Sequence, residues 1–266
     1  MDAAHLSTTR LEAVLRRDRL LVAASVAGVT ALCWAYLVTA SAEMAEMDAG
    51  AMAAARIGPW TARNFALVLA MWIGMMIGMM LPTATPMLLL HARVARRAAA
   101  DGHALPPTGL FALGYATVWS LFSVAATGAQ WELGRLALLS CTMVATSPAL
   151  GAALLAGAGL YQLTPWKEAC LHHCRDPAHF LARGWRCGRL GAFRMGLAHG
   201  AYCLGCCWAL MSLLFVGGVM NLLWIGTITL AVLFEKLAPQ GVRGAQRGGI
   251  VLIGLAAAVA LGWLRA

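Results

Sequence analysis

The sequence predicts an all-α protein, a polytopic membrane helical bundle with about seven transmembrane helices. Apolar residues make up 61% of the 266 residues and charged residues only 12%, and the mean hydropathy is +0.74, so the composition lies outside the soluble range. Several apolar runs exceed the roughly 18 residues that are needed to cross a bilayer. The basic residues gather in the short connections between these runs, which is typical of the cytoplasmic loops of membrane proteins.

Seven apolar segments are the predicted spans, and together they form a single transmembrane domain over residues 20–266. They cover residues 20–40, 65–90, 108–128, 148–163, 194–216, 219–234 and 249–264. A polar segment, residues 1–19, precedes them. The run Ala40-Ser41-Ala42 resembles a signal-peptide cleavage site, but the first apolar run is longer than the core of about 7–15 residues in a signal peptide. We therefore expect an uncleaved first span.

The connections between the spans differ in composition. Residues 130–147 are less apolar, and we expect them to lie at the membrane interface or to form a short re-entrant piece. Residues 164–193 are the longest polar stretch, and Gly217-Gly218 predicts a tight turn between two spans. Glu235 and Lys236, at the end of the sixth span, are predicted to form an interfacial ion pair.

The positive charges assign an orientation to the spans. Most of the 20 Lys and Arg residues lie before the first span and in the loops after the second, fourth and sixth spans. The positive-inside bias then places the N-terminus and residues 164–193 in the cytoplasm, and the protein in a bacterial inner membrane. The same bias explains the net charge of +9. Membrane lipids are therefore expected around the protein, and nucleic acid is not an implied partner.

Soft sulfur ligands are concentrated in two of the spans. Five of the 14 methionines lie in the run Met71–Met80, where helical spacing forms two thioether stripes. In the fifth span, three thiols at i, i+3 and i+4 share one face of a helix, and an imidazole one turn earlier is on the same face. The candidate intramembrane ligands are Met75, Met76, Met79, His199, Cys203, Cys206 and Cys207.

Counting residues from the ends of the two spans puts both sulfur groups near the middle of the bilayer. Thiolates and thioethers away from water favour Cu(I), and zinc is the weaker candidate. Methionine and cysteine also pack as ordinary apolar side chains in helical cores. The isolated Cys33 and Cys141 are interpreted in that way.

Two further candidate sites lie outside the bilayer. In residues 164–193, Cys170 and Cys174 are four residues apart and His173 lies between them, which is good spacing for a metal site on a helix. Thiols in the cytoplasm stay reduced, which favours metal binding over a disulfide. On the opposite side, Met44 and Met47 lie beside acidic residues, and thioethers can hold copper there. A basic loop with incidental cysteines and a polar connector with chance methionines are the alternatives.

A wider set of residues carries a resemblance to a known family. It consists of Trp72, the run from Met75 to Pro82, Pro86, Tyr161, Gln162, Pro165, Lys167, Cys170, Leu171, Cys174, Arg175, Pro177, Tyr202, Cys203, Cys206, Cys207, Trp208, Met211, Met220, Asn221, Glu235 and Lys236. In these residues, which extend over roughly 60–240, the chain resembles a bacterial family of predicted metal-binding integral membrane proteins, long described as a domain of unknown function. The resemblance implies metal binding, and some members of that family are linked to copper loading of tyrosinase-type enzymes.

These observations leave three functions open. The preferred hypothesis is an inner-membrane protein that transports Cu(I) or delivers it to a partner, which is a copper enzyme or a periplasmic metallochaperone. A membrane thiol-disulfide oxidoreductase that uses Cys203 and Cys206 is the first alternative, disfavoured because the pair lies at mid-bilayer. A non-catalytic membrane scaffold is the second. We identify no catalytic residues, so an enzyme is the less expected reading.

Overall fold

The computed structural model describes residues 2–46, 61–100, 102, 106–140 and 143–263. We number the helices of these residues in chain order. They are α1 (Asp2–Glu46), α2 (Ala62–Ala100), α3 (Thr108–Arg135), α4 (Pro148–Gln162), α5 (Pro165–Arg175), α6 (Pro177–Gly184), α7 (Gly188–Ser212), α8 (Leu214–Gly217), α9 (Leu222–Leu237) and α10 (Gly241–Ala260). The predicted all-α class is confirmed, since the described residues contain no β-strand.

Five segments among the described residues are long and apolar enough to cross a membrane. They are Arg19–Met44, Ala62–Ala99, Thr108–Arg135, Gly188–Gly217 and Gly241–Ala260. The other two predicted spans, 148–163 and 219–234, correspond to α4 and α9, which have 15 and 16 residues. At about 1.5 Å per residue these helices reach about 23 Å, which is shorter than the roughly 30 Å hydrocarbon core. Five spans thus have support, and seven remains a prediction.

Local sequence signals explain where the short helices begin. Pro148, Pro165 and Pro177 each occupy the first turn of a helix, where the missing N–H costs nothing. The Thr164 and Asp176 side chains cap α5 and α6 by accepting hydrogen bonds from backbone N–H groups. Helices α5 and α6 therefore form as separate short pieces inside the polar stretch 164–193.

Helices α3 and α7 are in close backbone contact. A β-carbon added to Gly114 would collide with the carbonyl oxygen of Phe193, and one added to Gly196 would collide with that of Phe111. Glycine on both helices thus lets the two backbones touch. Contacts advance in the same direction along both helices, because Gly200 lies one turn further on, against Tyr115 and Val118. The helices are therefore parallel, and this arrangement carries Tyr115 to the thiols of α7.

Close glycine contacts also join the outer helices to the bundle. Gly78 of α2 faces Cys33 of α1, and Gly159 of α4 lies against the backbone of Gly249 in α10. Cys33 therefore takes part in packing between α1 and α2. These contacts place α4 and α10 side by side.

Residues 130–147, predicted to be interfacial or re-entrant, consist in their described part of a helix end and a loop, and their position relative to the membrane stays a prediction. The first of these residues are the last turns of α3, which ends at Arg135. An isolated antiparallel bridge between Leu139 and Ala145 follows, with Ala137 and Met143 at positive φ. The described residues after Arg135 form a loop, and Cys141 lies outside the described residues.

Candidate metal centre

Helix α7 presents three thiols to the interior of the bundle. Cys203, Cys206 and Cys207 are each buried, with about 1% of their surface exposed. The thiols of Cys206 and Cys207 donate hydrogen bonds to the backbone oxygen of Cys203, over 3.1 and 2.9 Å. All three cysteines are free. Their side chains therefore form one patch of reduced sulfur inside the protein.

Two other helices bring sulfur atoms to this patch. The Sγ atom of Cys174, on α5, lies 3.9 Å from that of Cys206. The Sδ atom of Met80, on α2, lies 3.9 Å from the Sγ atom of Cys207. Thiol and thioether groups from three helices thus meet in one place. We call this set the sulfur cluster; it consists of Met80, Cys174, Cys203, Cys206 and Cys207.

The spacing within the cluster suits a soft metal ion. With a metal–sulfur bond of about 2.3 Å, two sulfurs 3.9 Å apart subtend an angle of roughly 116° at a shared ion. No group of three or more His, Cys, Asp or Glu side chains in the described part of the chain has metal-binding geometry. The cluster therefore offers pairs of sulfur ligands, and the chemistry of these ligands favours Cu(I).

Cys203 has polar partners as well as sulfur neighbours. The Lys236 ammonium donates a hydrogen bond to its Sγ atom over 2.8 Å, and the Tyr115 hydroxyl lies 3.0 Å from the same atom. Lys236 also donates to the Thr83 hydroxyl over 3.2 Å, and Tyr115 donates to the carbonyl oxygen of Met80 over 2.9 Å. These bonds fix the position of Cys203 in the cluster.

A buried ion pair between Lys167 and Glu235 lies beside the sulfur cluster, and the sequence did not predict it. Glu235 does not pair with Lys236 at an interface. It is buried, and its Oε2 atom lies 2.6 Å from the Lys167 Nζ atom, while its Oε1 atom accepts a hydrogen bond from Gln162 over 2.6 Å. Residues that are neighbours in the sequence thus face different partners, because side chains one position apart on a helix point in different directions. Lys167 and Arg175 both tie α5 to the end of α9.

Two buried histidines, His199 and His91, each have one ring nitrogen without a hydrogen-bond partner. His199 is 3% exposed, its Nδ1 atom has no hydrogen-bond partner, and its ring lies 5.7 Å from that of Tyr115. His91 on α2 was not predicted, and its Nε2 atom is likewise without a partner. A row of rings connects them, since the ring of Phe111 lies 4.7 Å from His91 and 6.0 Å from His199.

The predicted residues of the polar stretch lie on α5, beside the cluster. Cys170 packs its sulfur against Gly205 of α7, and burial together with the nearby Cys206 raises the pKa of its thiol. Cys174 is a member of the cluster. His173 stacks on Tyr202, with ring centroids 4.2 Å apart, and its Nδ1 atom lies 2.9 Å from the Ala169 carbonyl oxygen. The His173 ring is therefore stacked on an aromatic side chain and hydrogen-bonded through Nδ1.

The remaining predicted ligands are methionines. Met75, Met76 and Met79 are fully buried in the apolar core. Their neighbour Met80, which was not among the predicted ligands, is the methionine that contacts Cys207. Met44 is half-buried at the end of α1, and Met47 lies outside the described residues. Helical spacing alone identifies the right helix, but the rotation of α2 against α7 decides which thioether reaches the thiols.

Comparison with known protein families identifies a family for this chain. A family model named PpoB2 and described as "Copper chaperone" matches residues 69–259, which is well over half of the chain. All five residues of the sulfur cluster lie inside the matched range. No curated protein and no solved structure matches the chain. The resemblance drawn from the sequence, to a family linked to copper loading, is confirmed.

Proposed function

The chain belongs to the PpoB2 family of copper chaperones, and from this premise we propose that it binds Cu(I) in the sulfur cluster and delivers it to a copper enzyme. The observation that carries the proposal is the meeting of thiols and a thioether from three helices inside the bundle. Copper is the cargo in this proposal. The delivery step, the oxidation state of the ion and the membrane location belong to the proposal as well.

The proposed route begins on α5, passes through the sulfur cluster and ends on the outer side. Cys170, Cys174 and His173 of α5 collect the ion on the cytoplasmic side of the route, and Cys174 is already in contact with the intramembrane thiols. The intramembrane thiols hold it together with the thioether of Met80, which contacts Cys207, and the predicted Met75, Met76 and Met79 pack in the core beside it. Met44 and Met47 receive it on the outer side, where a copper enzyme or a periplasmic metallochaperone takes it up.

Transfer between these groups proceeds by exchange of ligands. Thiols must lose their protons to bind a metal ion, so each thiol that binds copper as a thiolate releases one proton. Cys174 is suited to begin the exchange, because it sits on the short helix α5 and reaches the Cys206 sulfur at 3.9 Å. The ion can then pass from one sulfur pair to the next without becoming free.

A copper titration of the purified protein tests this proposal. We expect the reduced wild-type protein in detergent to bind at least one equivalent of Cu(I) against a chromogenic chelator. The double variant C203S/C206S should lose this binding, whereas C33S/C187S should keep it, since Cys33 packs between α1 and α2 and Cys187 is exposed. Unchanged copper stoichiometry in C203S/C206S would exclude the cluster as the binding site.

The redox alternative has its own test. The sulfur that Cys206 contacts at 3.9 Å belongs to Cys174, so an oxidoreductase would use these two cysteines or the predicted pair Cys203 and Cys206. Thiol trapping across a redox titration separates the functions. A chaperone loses its thiol protection when a chelator removes copper, whereas an oxidoreductase forms a disulfide at a defined potential with or without the chelator.

A further inference from the structure

Lys236 is a buried cation placed against the candidate metal ligands. It is 6% exposed, and its ammonium donates to Cys203 Sγ over 2.8 Å and to the Thr83 hydroxyl over 3.2 Å. A charged ammonium inside a membrane bundle is costly unless a counter-charge or several hydrogen bonds compensate it. Packing alone therefore does not account for a lysine beside this thiol.

The surrounding charges leave the ammonium of Lys236 uncompensated. Among the described residues, the buried Lys, Arg, Asp and Glu side chains are Lys167, Glu235 and Lys236. Lys167 and Glu235 neutralise each other across 2.6 Å. The counter-charge of Lys236 must then come from the sulfur cluster, where Cys203 is the sulfur that it contacts.

We propose that Lys236 determines the charge of the ion that the sulfur cluster accepts, and selects a monovalent over a divalent soft cation. This inference rests on the proposed function. In this proposal the ion is held by two thiolates, of which Cys203 is one, and these two thiolates, the Lys236 ammonium and one Cu(I) ion together carry no net charge. A divalent ion in the same ligands leaves one positive charge in the low-dielectric interior, which is unfavourable. The ammonium also repels a divalent ion twice as strongly as a monovalent one at the same distance.

Neutral and charged replacements of Lys236 test the inference. K236Q keeps a donor for Cys203 and Thr83, K236L leaves no polar group in the core, and K236R keeps the charge. The measurement is the ratio of Zn(II) to Cu(I) affinity at fixed pH and salt, by competition with chelators. We expect the ratio to rise about tenfold or more in both neutral variants, from the loss of one unit charge near the ion. K236R should stay close to the wild-type ratio.

A surface variant controls for the change in total charge. R243Q also removes one positive charge, but from an exposed side chain at the start of α10, where water screens it. Its ratio should equal that of the wild type. The affinity ratio is the informative quantity. A lost hydrogen bond to Cys203 lowers the affinity for both ions together, whereas the charge of Lys236 changes the two affinities unequally.

The outcomes separate this inference from the proposed function. Wild-type protein that binds no Cu(I) contradicts the proposed function itself. If the wild type binds Cu(I) and either folded neutral variant keeps the wild-type ratio, the role of Lys236 is overturned while the copper site stands. A wild-type protein that binds Zn(II) as tightly as Cu(I) overturns the inference without any variant.

Discussion

At the scale of single residues, the neighbours of each sulfur atom decide whether it can serve as a metal ligand. Met75, Met76, Met79 and Met80 are all fully buried on one helix. Burial alone makes a thioether a packing group. Met80 is distinguished by its contact with a thiol of α7, at 3.9 Å from Cys207. Met80 is therefore the methionine of this helix that we propose as a ligand.

Matched substitutions of two methionines check this assignment. We expect M80L to weaken Cu(I) binding about tenfold, which corresponds to ~1.4 kcal/mol, because a thioether ligand is lost. M79L should leave the affinity unchanged, since leucine replaces methionine in a core at small cost. Chelator competition gives both affinities. Equal losses in the two variants would show that packing of α2, and not a particular sulfur, controls binding.

The thiol of Cys170 offers a pH prediction. Burial, and then the charge of Cys206, raise the pKa of this thiol, so it remains protonated at neutral pH and ionises only as the pH rises towards that higher pKa. We expect its alkylation by iodoacetamide to be slow at pH 7 and to accelerate with increasing pH. Quantitative mass spectrometry of the peptide that contains Cys170 measures the rate. A rate that does not change between pH 7 and pH 9 would contradict this prediction.

At the scale of helices, close backbone contact holds α3 against α7 and thereby places Tyr115 beside Cys203. The contact depends on glycine at Gly114 and Gly196, because any side chain there meets a backbone carbonyl of the other helix. The geometry of the site is thus coupled to helix packing some distance from the sulfurs.

A single added methyl group tests the crossing of α3 and α7. We expect G196A to destabilise the protein by about 1–3 kcal/mol, since the helices must separate to admit the new carbon. Thermal unfolding in detergent detects this as a lower melting temperature. G128A on α3 is the matched control, because nothing lies within 4 Å of the added carbon. G128A should leave the melting temperature unchanged or raise it, because alanine stabilises a helix relative to glycine. A G196A protein as stable as the control would refute the close crossing.

Helix α5 is attached to α9 by the buried pair of Lys167 and Glu235. E235Q should destabilise the protein by roughly 3–5 kcal/mol, because it leaves a buried ammonium without its partner. The double variant K167L/E235L should recover part of this loss, since neither charge remains. Melting temperatures measure both effects, and faster alkylation of Cys174 in E235Q would show that α5 has left the cluster. Equal stability of E235Q and the wild type would rule out an attachment by this pair.

At the scale of the whole molecule, the proposed direction of copper transfer depends on the orientation of the chain in the membrane. The distribution of basic residues predicts that residues 164–193 face the cytoplasm. Cys187 is exposed in the connection between α6 and α7. A membrane-impermeant maleimide should therefore label Cys187 in inverted membrane vesicles and not in intact spheroplasts, as read by peptide mass spectrometry. A cysteine introduced by Glu43→Cys, at the exposed end of α1, should show the reverse pattern. Labelling of Cys187 in spheroplasts would invert the proposed direction of transfer.

The sequence by itself determined the helical class, the membrane character and the family. These follow from composition, from long apolar runs and from motif residues, which are local properties of the chain. The i, i+3, i+4 spacing also placed Cys203, Cys206 and Cys207 on one face, since helix geometry fixes such relations. Helices α4 and α9 were predicted as spans on the same local grounds, and with 15 and 16 residues these two spans remain a prediction.

Only the tertiary structure decided which groups meet across helices. It brought Cys174 to the intramembrane thiols and Met80 to Cys207. It also gave Glu235 and Lys236 different partners, an ion pair with Lys167 for Glu235 and a contact with Cys203 for Lys236. These pairings depend on the rotation and depth of one helix against another. Rotation and depth are set by close packing of glycine faces and by the burial of charged groups. Local sequence patterns do not show which helices face each other in this way, because the contacting residues lie from 32 to 127 positions apart in the chain.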